Sequence, residues 1–566
     1  MNQTRTLLIA AWLFVAALLW MAWTKEQVPA PAATPAASTS GPANSASVPS
    51  VPSVPTAASA SSAAPTPPAT GAGASATPAA PLVTVTTDVL RLRLDGGAIH
   101  SADILQYPLT IAPGSAPMRL FDDSPAHLFE AQSGWVSSSG PAPSHEGAFV
   151  PVDPARAVTL GPGADSVQVP FVWHGANGVS IRRTYTFRRG DYVIDVRDEV
   201  INQSAAPWQG YVYRQLVRVP PTVASGMMHP ESYSFHGAAW YSDKDKLEKL
   251  KFTKFGEDSL PSRQVTGGWI AMLQHHFFTA WIPGAKDTTT FSTAVPQAGQ
   301  ALVRELGPAV TVAPGATATT QARLWVGPKL VKQIAAQRVP GLERAVDFSS
   351  ITLMAVLAGW LFWVLQHLHQ LLGNWGWSIV GLVVLIKLAM YPLSAAQYKS
   401  MAKMRRFQPR IAQLKERYGE DKQKFQMALM ELYKKEKLNP VGGCLPVLVQ
   451  MPVFLALYWM LSESVELRHA PWIGWIHDLT ARDPYFILPA INIFVMWGTQ
   501  HLAPKTPGMD PTQQKMMQYM PVVMGVLFSF MPAGLVLYWI TNGSLGLLQQ
   551  WWNTRQYGQE MAADKG

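Results

Sequence analysis

The chain has 566 residues; 48% are apolar and only 14% charged, with 21 Trp and 22 Met. That balance excludes a small soluble domain or a disordered polyelectrolyte and points to an integral membrane protein with a sizeable soluble part. The formal net charge is +9, the single cysteine (Cys444) excludes an internal disulfide framework, and no GxxxxGK[ST] stretch suggests nucleotide hydrolysis.

Leu7 to Trp23 is a continuous apolar run behind Arg5. It reads as a signal peptide or a short anchor, and the absence of a small-x-small site directly after it favours an uncleaved anchor over residues 1–24. Residues 25–81 are almost entirely Ala, Pro, Ser, Thr and Gly, the composition of a disordered tether. Residues 82–327 follow a β pattern. Runs 167–173, 179–187, 192–201, 269–273 and 277–282 are rich in Val, Ile, Tyr, Phe and Trp. Gly175-Ala-Asn-Gly178 and Arg189-Gly-Asp191 supply turns between them, which explains the Arg-Gly-Asp tripeptide without adhesion. Many short strands predict an antiparallel sandwich. His275 and His276 are adjacent; on a strand they would point to opposite faces and make a poor metal site. No catalytic constellation, metal site or cofactor site stands out.

Residues 328–345 predict a short helical connector, and 350–372 is apolar and long enough to span. Further apolar stretches follow at 377–393, 443–461, 485–502, 516–530 and 535–552. Lys387 sits near the middle of the 377–393 stretch, and the next basic residue is Lys399. A lysine at a bilayer centre costs about 2.5–3.5 kcal/mol, so it needs a polar partner, a wet cavity or a function; the bland alternative is snorkelling to the interface. Between Lys399 and Lys437 twelve Lys/Arg stand against five acids, whereas loop 462–484 carries only Arg468 and Arg482. The positive-inside rule places the basic segment in the cytoplasm. With an in-to-out anchor, 350–372 is then an amphipathic helix on the outer surface rather than a span, with His367, His369 and Gln370 at its wet end. The expected domains are the 328–376 connector and interfacial helix, a span over 377–396, a cytoplasmic hairpin over 397–440, four spans within 441–552 and a cytoplasmic tail over 553–566.

Within the basic segment Met404, Phe407, Ile411, Leu414 and Tyr418 step by three and four, and Phe425, Ala428 or Leu429, and Leu432 form a second seam. Two antiparallel helices with basic outer faces follow, with a kink at Pro409. Their faces suit either anionic lipid or an acidic partner such as RNA. Polar groups within the spans are Lys387, Gln450, Asn492, Tyr538, Thr541 and Asn542. Singly, the uncharged ones are explained by helix–helix hydrogen bonds; together with Lys387 they could line a wet cavity.

The segments Lys399-Ser-Met-Ala-Lys-Met-Arg405, Asn439-Pro-Val-Gly-Gly-Cys-Leu-Pro446, Gln450-Met-Pro-Val-Phe-Leu-Ala-Leu-Tyr458 and Pro532-Ala-Gly-Leu-Val-Leu-Tyr538 resemble the YidC/Oxa/Alb family of membrane insertases, in its Gram-negative form. Gly373-Asn-Trp-Gly376 and Trp475-Ile-His-Asp-Leu479 add to the likeness, which covers 348–552. The resemblance implies an α-helical membrane protein of six transmembrane helices with a five-helix insertase core, plus a periplasmic all-β supersandwich. It implies no enzyme activity and no cofactor. The implied partners are nascent membrane proteins, the ribosome, the Sec translocon and the bilayer. The implied groove residues are Lys387, Gln450, Tyr538 and Asn542. A lipid-facing slide would use Cys444, Met451, Phe454, Met520 and Phe528, and docking on the hairpin would use Lys399, Lys403, Arg405, Arg406 and Arg410. One departure stands out: the family usually carries Arg where this chain has Lys387, so charge is kept and the bidentate fork is lost. A membrane-tethered carbohydrate-binding protein or enzyme is the alternative, and would require paired carboxylates and stacked aromatics in a cleft of the β domain. A solute transporter would require paired repeats with broken helices.

Overall fold

The computed structural model describes residues 81–223, 234–346, 348–349, 351–397, 407–418, 421–436, 445–502 and 511–563. The expected anchor, and the tether up to residue 80, lie outside them. The described chain is a β-rich domain followed by a helical region.

The strands form where β-branched and aromatic residues alternate with polar ones. Ser166–His174, Val179–Arg188 and Val193–Asn202 pair antiparallel in that order. The first turn closes through Gly175 N–H to the Val179 carbonyl, with Gly178 at φ +82°, and Gly190 adopts φ +70° in the second. Trp269–Leu273 and Phe277–Pro283 appear at the bounds their composition predicts, within one residue. The strands assemble into a ten-stranded and a nine-stranded sheet. Pairing is antiparallel except between Val83–Thr86 and Ala157–Thr159. Trp135, Trp208, Trp269, Trp281 and Trp325 are fully buried in the core between them.

Two polar systems interrupt that core pattern. Arg183 and Asp198 are cross-strand partners at positions where alternation would place apolar side chains. Arg183 donates two 2.7 Å bonds to the Asp198 carboxylate, and its remaining nitrogen donates to the Gly96 and Ser133 carbonyls of the other sheet. On the opposite face of the ten-stranded sheet a hydrogen-bonded chain crosses several strands. Asp95 and Glu130 flank His100, Gln132 donates to Glu130, Gln215 to Gln132, and Arg304 to Gln215. Burial alone would lower the His100 pKa, but its two carboxylate partners outweigh that and push it up to about 10. The stability His100 contributes is therefore complete below about pH 6.5 and is lost only as pH rises through about 10.

His275 and His276 depart from expectation. They lie in the turn between two strands, where strand alternation does not apply, and their rings stack with centroids 3.8 Å apart. The connector is the helix Val331–Ala336 and the 3-10 turn Leu342–Ala345. Gly341 joins them at φ +73°, with the Tyr241 ring 2.1 Å from where a Cβ would stand, so no other residue fits.

The helical region comprises Thr352–Leu372, Trp375–Ala389, the hairpin Gln408–Tyr418 and Lys422–Lys435, then Leu445–Glu463, Ile487–Leu502, Pro511–Phe528 and Ala533–Ala563. The 377–393 stretch is not one straight helix. Trp375–Ala389 ends at Met390, and Tyr391–Gln397 leaves at 61°. Pro392 lacks the N–H that would continue the ladder. Pro409 does not kink a helix, because Gln408–Tyr418 begins just before it and a first-turn proline sacrifices no hydrogen bond. Of the hairpin seam, Met404 lies outside the described residues; Ile411 is buried, Phe407, Leu414, Tyr418, Phe425, Ala428, Leu429 and Leu432 are half-buried, and Arg410 bridges to Glu436 across the pair. Asp421 caps the second helix by accepting from the Gln423 and Lys424 amides. Ala533–Ala563 runs eleven residues past 552, the expected end of the last span, since no proline lies between Trp552 and Ala563 and Gly558 alone costs only about 1 kcal/mol. By length and composition, one described helix, Leu353–Leu372, could cross a membrane, and the bent pair would make a second. On the helix Thr352–Leu372, Leu353, Val356, Trp360, Trp363 and Leu371 are all exposed, and at the expected wet end His367 and Gln370 are exposed while His369 is half-buried. The exposed apolar residues make a surface suited to lipid.

Candidate functional site

The site is built on the Ala533–Ala563 helix. Tyr538, Asn542 and Gly546 recur every four residues and so share one stripe, rising about 6 Å per step. Tyr538 is buried and accepts a 3.3 Å hydrogen bond from Gln450 Nε2 of the Leu445–Glu463 helix. Asn542 is half-buried one turn on. One further turn along, Lys387 of the Trp375–Ala389 helix lies against Gly546: its Nζ is 3.7 Å from where a Cβ on that glycine would be. Lys387 is half-buried and forms no ion pair among the described residues. It stands about 12 Å along the stripe from the Tyr538–Gln450 pair. Three helices thus bring together the four groove residues picked from the sequence.

The aromatic wall beside the stripe centres on Trp539. Phe454 stacks on Tyr538 at 6.2 Å and meets Trp539 at 5.0 Å; Phe528 meets Trp539 at 5.3 Å. Among the expected slide residues, Met520 is exposed, Met451 and Phe454 are half-buried, and Phe528 points into the core. Cys444 lies outside the described residues, as do Lys399, Lys403, Arg405 and Arg406 of the hairpin; Arg410 is exposed.

One end of the stripe is closed by segment 462–484. Its backbone pairs with the start of the Ala533–Ala563 helix, through the Ala533 amide to Ala481 and the Gly534 amide to Leu479. Trp472 lies over Gly376 so closely that an added Cβ would stand 2.2 Å from its ring. Asn374 donates to the carbonyls of Pro471 and Trp472. Asp483 is buried; it accepts from Trp475 Nε1 and from the amides of Tyr485 and Leu488, capping the Ile487–Leu502 helix. Sequence reasoning passed over Asp483, Trp539 and Gly546, and used Gly376 only as part of a segment that resembles the family. Only Asp483 carried a signal, an acid just ahead of an apolar helical run.

Fold and site define a membrane protein in which a large β domain is joined to a helical unit, and that unit holds a half-buried cation on a polar stripe. Comparison with known proteins agrees. The family model described as 60Kd inner membrane protein matches residues 367–560, and the one described as YidC periplasmic domain matches 82–364. The chain is 58% identical over 563 residues to the membrane protein insertase YidC of Stenotrophomonas maltophilia (strain R551-3), covering 99% of this chain and 98% of that one. It is 58% identical over 569 residues to the YidC of Xanthomonas axonopodis pv. citri (strain 306), with the same coverage. A solved structure titled as an active YidC insertase with the first transmembrane domain resolved aligns at a TM-score of 0.37 and 18% identity, over 83% of this chain and 93% of that chain.

The chain belongs to the YidC family of membrane protein insertases. It is an inner-membrane protein that inserts other proteins into the bilayer and is not an enzyme. The carbohydrate-binding alternative gains nothing: Asp95 and Glu130, two carboxylates that the β domain brings to one place, both pair with His100.

Proposed function

We propose that nascent segments enter along the stripe formed by Lys387, Asn542, Tyr538 and Gln450. Lys387 attracts the polar, often acidic part that must cross. The apolar part slides along the lipid side of Leu445–Glu463 and Pro511–Phe528, past Cys444, Met451, Phe454 and Met520, with Phe528 backing the wall. Burying that part in lipid supplies the energy, at about 25 cal/mol per Å². The reading is carried by one observation: the Lys387 ammonium stands against Gly546, on the same helical stripe as the Tyr538–Gln450 pair. A photocrosslinker at 387, 450 or 538 should give adducts with ribosome-stalled nascent chains, whereas one at exposed Val356 should not. Equal adducts at all four positions would remove the route.

The topology belongs to the same proposal. Six crossings, anchor 1–24 included, put the β domain of residues 82–327 in the periplasm and the 397–440 hairpin and 553–566 tail in the cytoplasm. Helix direction supports it. Gly534 lies near Ile379, Lys387 near Gly546, Val495 near Gly543 and Leu547 near Gly498, so Trp375–Ala389, Ile487–Leu502 and Ala533–Ala563 run the same way. Alternate crossings require that. The basic hairpin would meet the ribosome or anionic lipid through Lys399, Lys403, Arg405, Arg406 and Arg410, and the insertase would work beside the Sec translocon. On this topology Thr352–Leu372 lies in the outer interface. Ser349→Cys and Gln370→Cys, at the two ends of the helix and each in a Cys444→Ser background, should both react with an impermeant reagent from the periplasmic side only. Labelling of either from the cytoplasm would make that helix a span and break the count of six.

A further inference from the structure

The stacked histidines have a use that insertion chemistry does not explain. His275 and His276 both direct Nε2 at one acceptor, the Ser462 carbonyl, at 2.8 and 3.2 Å. Ser462 lies in the last turn of Leu445–Glu463, the helix that carries Gln450. The next few residues receive further contacts from the β domain. Ser234 Oγ donates to Glu463 at 2.6 Å, and the connector's Val331 amide donates to Glu466 at 3.2 Å. Arg468 donates to the Pro108 carbonyl at 2.9 Å and lies over the Phe277 ring. The β domain is thus fastened to one seven-residue segment, 462–468, directly at the end of a groove helix.

We propose that this joint is an acid-sensitive latch: neutral His275 and His276 hold the β domain on the end of the groove helix, and their protonation releases it. An imidazole that donates Nε2–H to a carbonyl takes its next proton on Nδ1. Two protonated rings 3.8 Å apart would repel. The groups facing the pair add to the repulsion, since His276 lies in the field of Lys329 and Arg468, and neighbouring His236 in that of Arg218 and Lys329. Two carboxylates and a phenol, Glu463, Glu466 and Tyr107, complete the set.

The direction follows from linkage. Burial holds the His276 pKa well below its ordinary value and lowers that of His236 to about 4. Their contribution to docking is complete above about pH 6.5 and is lost as pH falls below it. Glu466 acts oppositely. Burial pushes its carboxyl up to about 7, and one of its oxygens has no hydrogen-bond partner among the described residues, so its contribution is lost as pH rises from 4.5 to about 7. Between those limits His276 and His236 act against one carboxyl, and acid opens the joint. Above about pH 7 none of the three titrates and the joint is insensitive to pH.

The topology proposed above enters only in exposing the joint to the medium; the test does not depend on it. Full-length protein with Cys444→Ser, Thr311→Cys and Ile473→Cys is spin-labelled in nanodiscs, and the β-domain-to-loop distance is measured from pH 7.5 to 5.0. One narrow distribution is expected at pH 7.5, with most of the population broadened and displaced by pH 5.0. In His275→Gln/His276→Gln the amides can still donate to Ser462 but cannot take a proton, so opening should move down by more than one pH unit. A wild-type distribution that stays unchanged to pH 5.0 overturns the latch whatever the variant does, and so does a variant that opens at the wild-type pH.

Discussion

Lys387→Glu is expected to stop insertion of substrates with acidic translocated tails while leaving neutral-tailed substrates far less affected. The Lys387 ammonium is half-buried beside Gly546, and no carboxylate pairs with it among the described residues. An intramembrane cation costs about 2.5–3.5 kcal/mol, so a site that keeps one gains something by its charge. Attraction to an entering carboxylate at 4 Å is worth about 4 kcal/mol at an effective dielectric of 20, enough to bias entry and weak enough to permit release. Reversing the sign turns attraction into repulsion of similar size, a change of several powers of ten in occupancy. Lys387→Met, similar in length but neutral, should slow acidic tails by up to about three orders of magnitude and spare neutral ones. Lys387→Arg should keep function, and a basic tail should partly rescue Lys387→Glu. Protease protection of tail-variant substrates at matched expression measures all of these. Equal insertion by every variant on every tail would reduce Lys387 to a tolerated residue.

That lysine was legible because charge in an apolar run is rare, and the β strands were legible because alternation and turn residues coincide. Trp269–Leu273 needed nothing more. What the sequence hid is whatever depends on contact between distant segments. Gly546 is one glycine among many until the fold sets the Lys387 ammonium against it, and Gly376 matters only once Trp472 covers it. The same holds for His275 and His276. Their adjacency was visible, but opposite faces were expected of them, because a turn at those two positions leaves no composition signal. Their acceptor, Ser462, lies 187 residues from His275. Helices and apolar runs part where helix propensity outlasts apolar composition, as beyond Trp552, or where a bend at Pro392 interrupts an apolar run that still reads as continuous. Phe528 was placed on the slide with the rest of its apolar stretch. Its packing against Trp539 depends on the angle between two helices, which periodicity does not encode.

The largest effect on stability is expected at Asp198. The Arg183–Asp198 pair is buried at core positions of paired strands, with side-chain exposures of 0% and 2%. Asp198 accepts both guanidinium bonds and a third, 2.8 Å, from Trp135 Nε1 of the facing sheet. Asp198→Ala leaves a guanidinium buried with carbonyl partners alone and an indole N–H with none. Removing one partner of such a pair costs about 3–5 kcal/mol, because the surviving charge stays desolvated. For a domain of this size that is a fall of roughly 6–20 °C in the unfolding temperature. Arg183→Met/Asp198→Leu removes both charges and fills the space with apolar atoms, so it should recover part of the loss. It should still fall short of wild type, because Trp135 Nε1 and the Ser133 carbonyl lose their partners, each at about 1–3 kcal/mol. Calorimetry of the full chain resolves the β-domain transition in all three proteins. If Asp198→Ala unfolds within about 2 °C of wild type, or below it by no more than the double variant, the charge pair is not what joins the two sheets at this point.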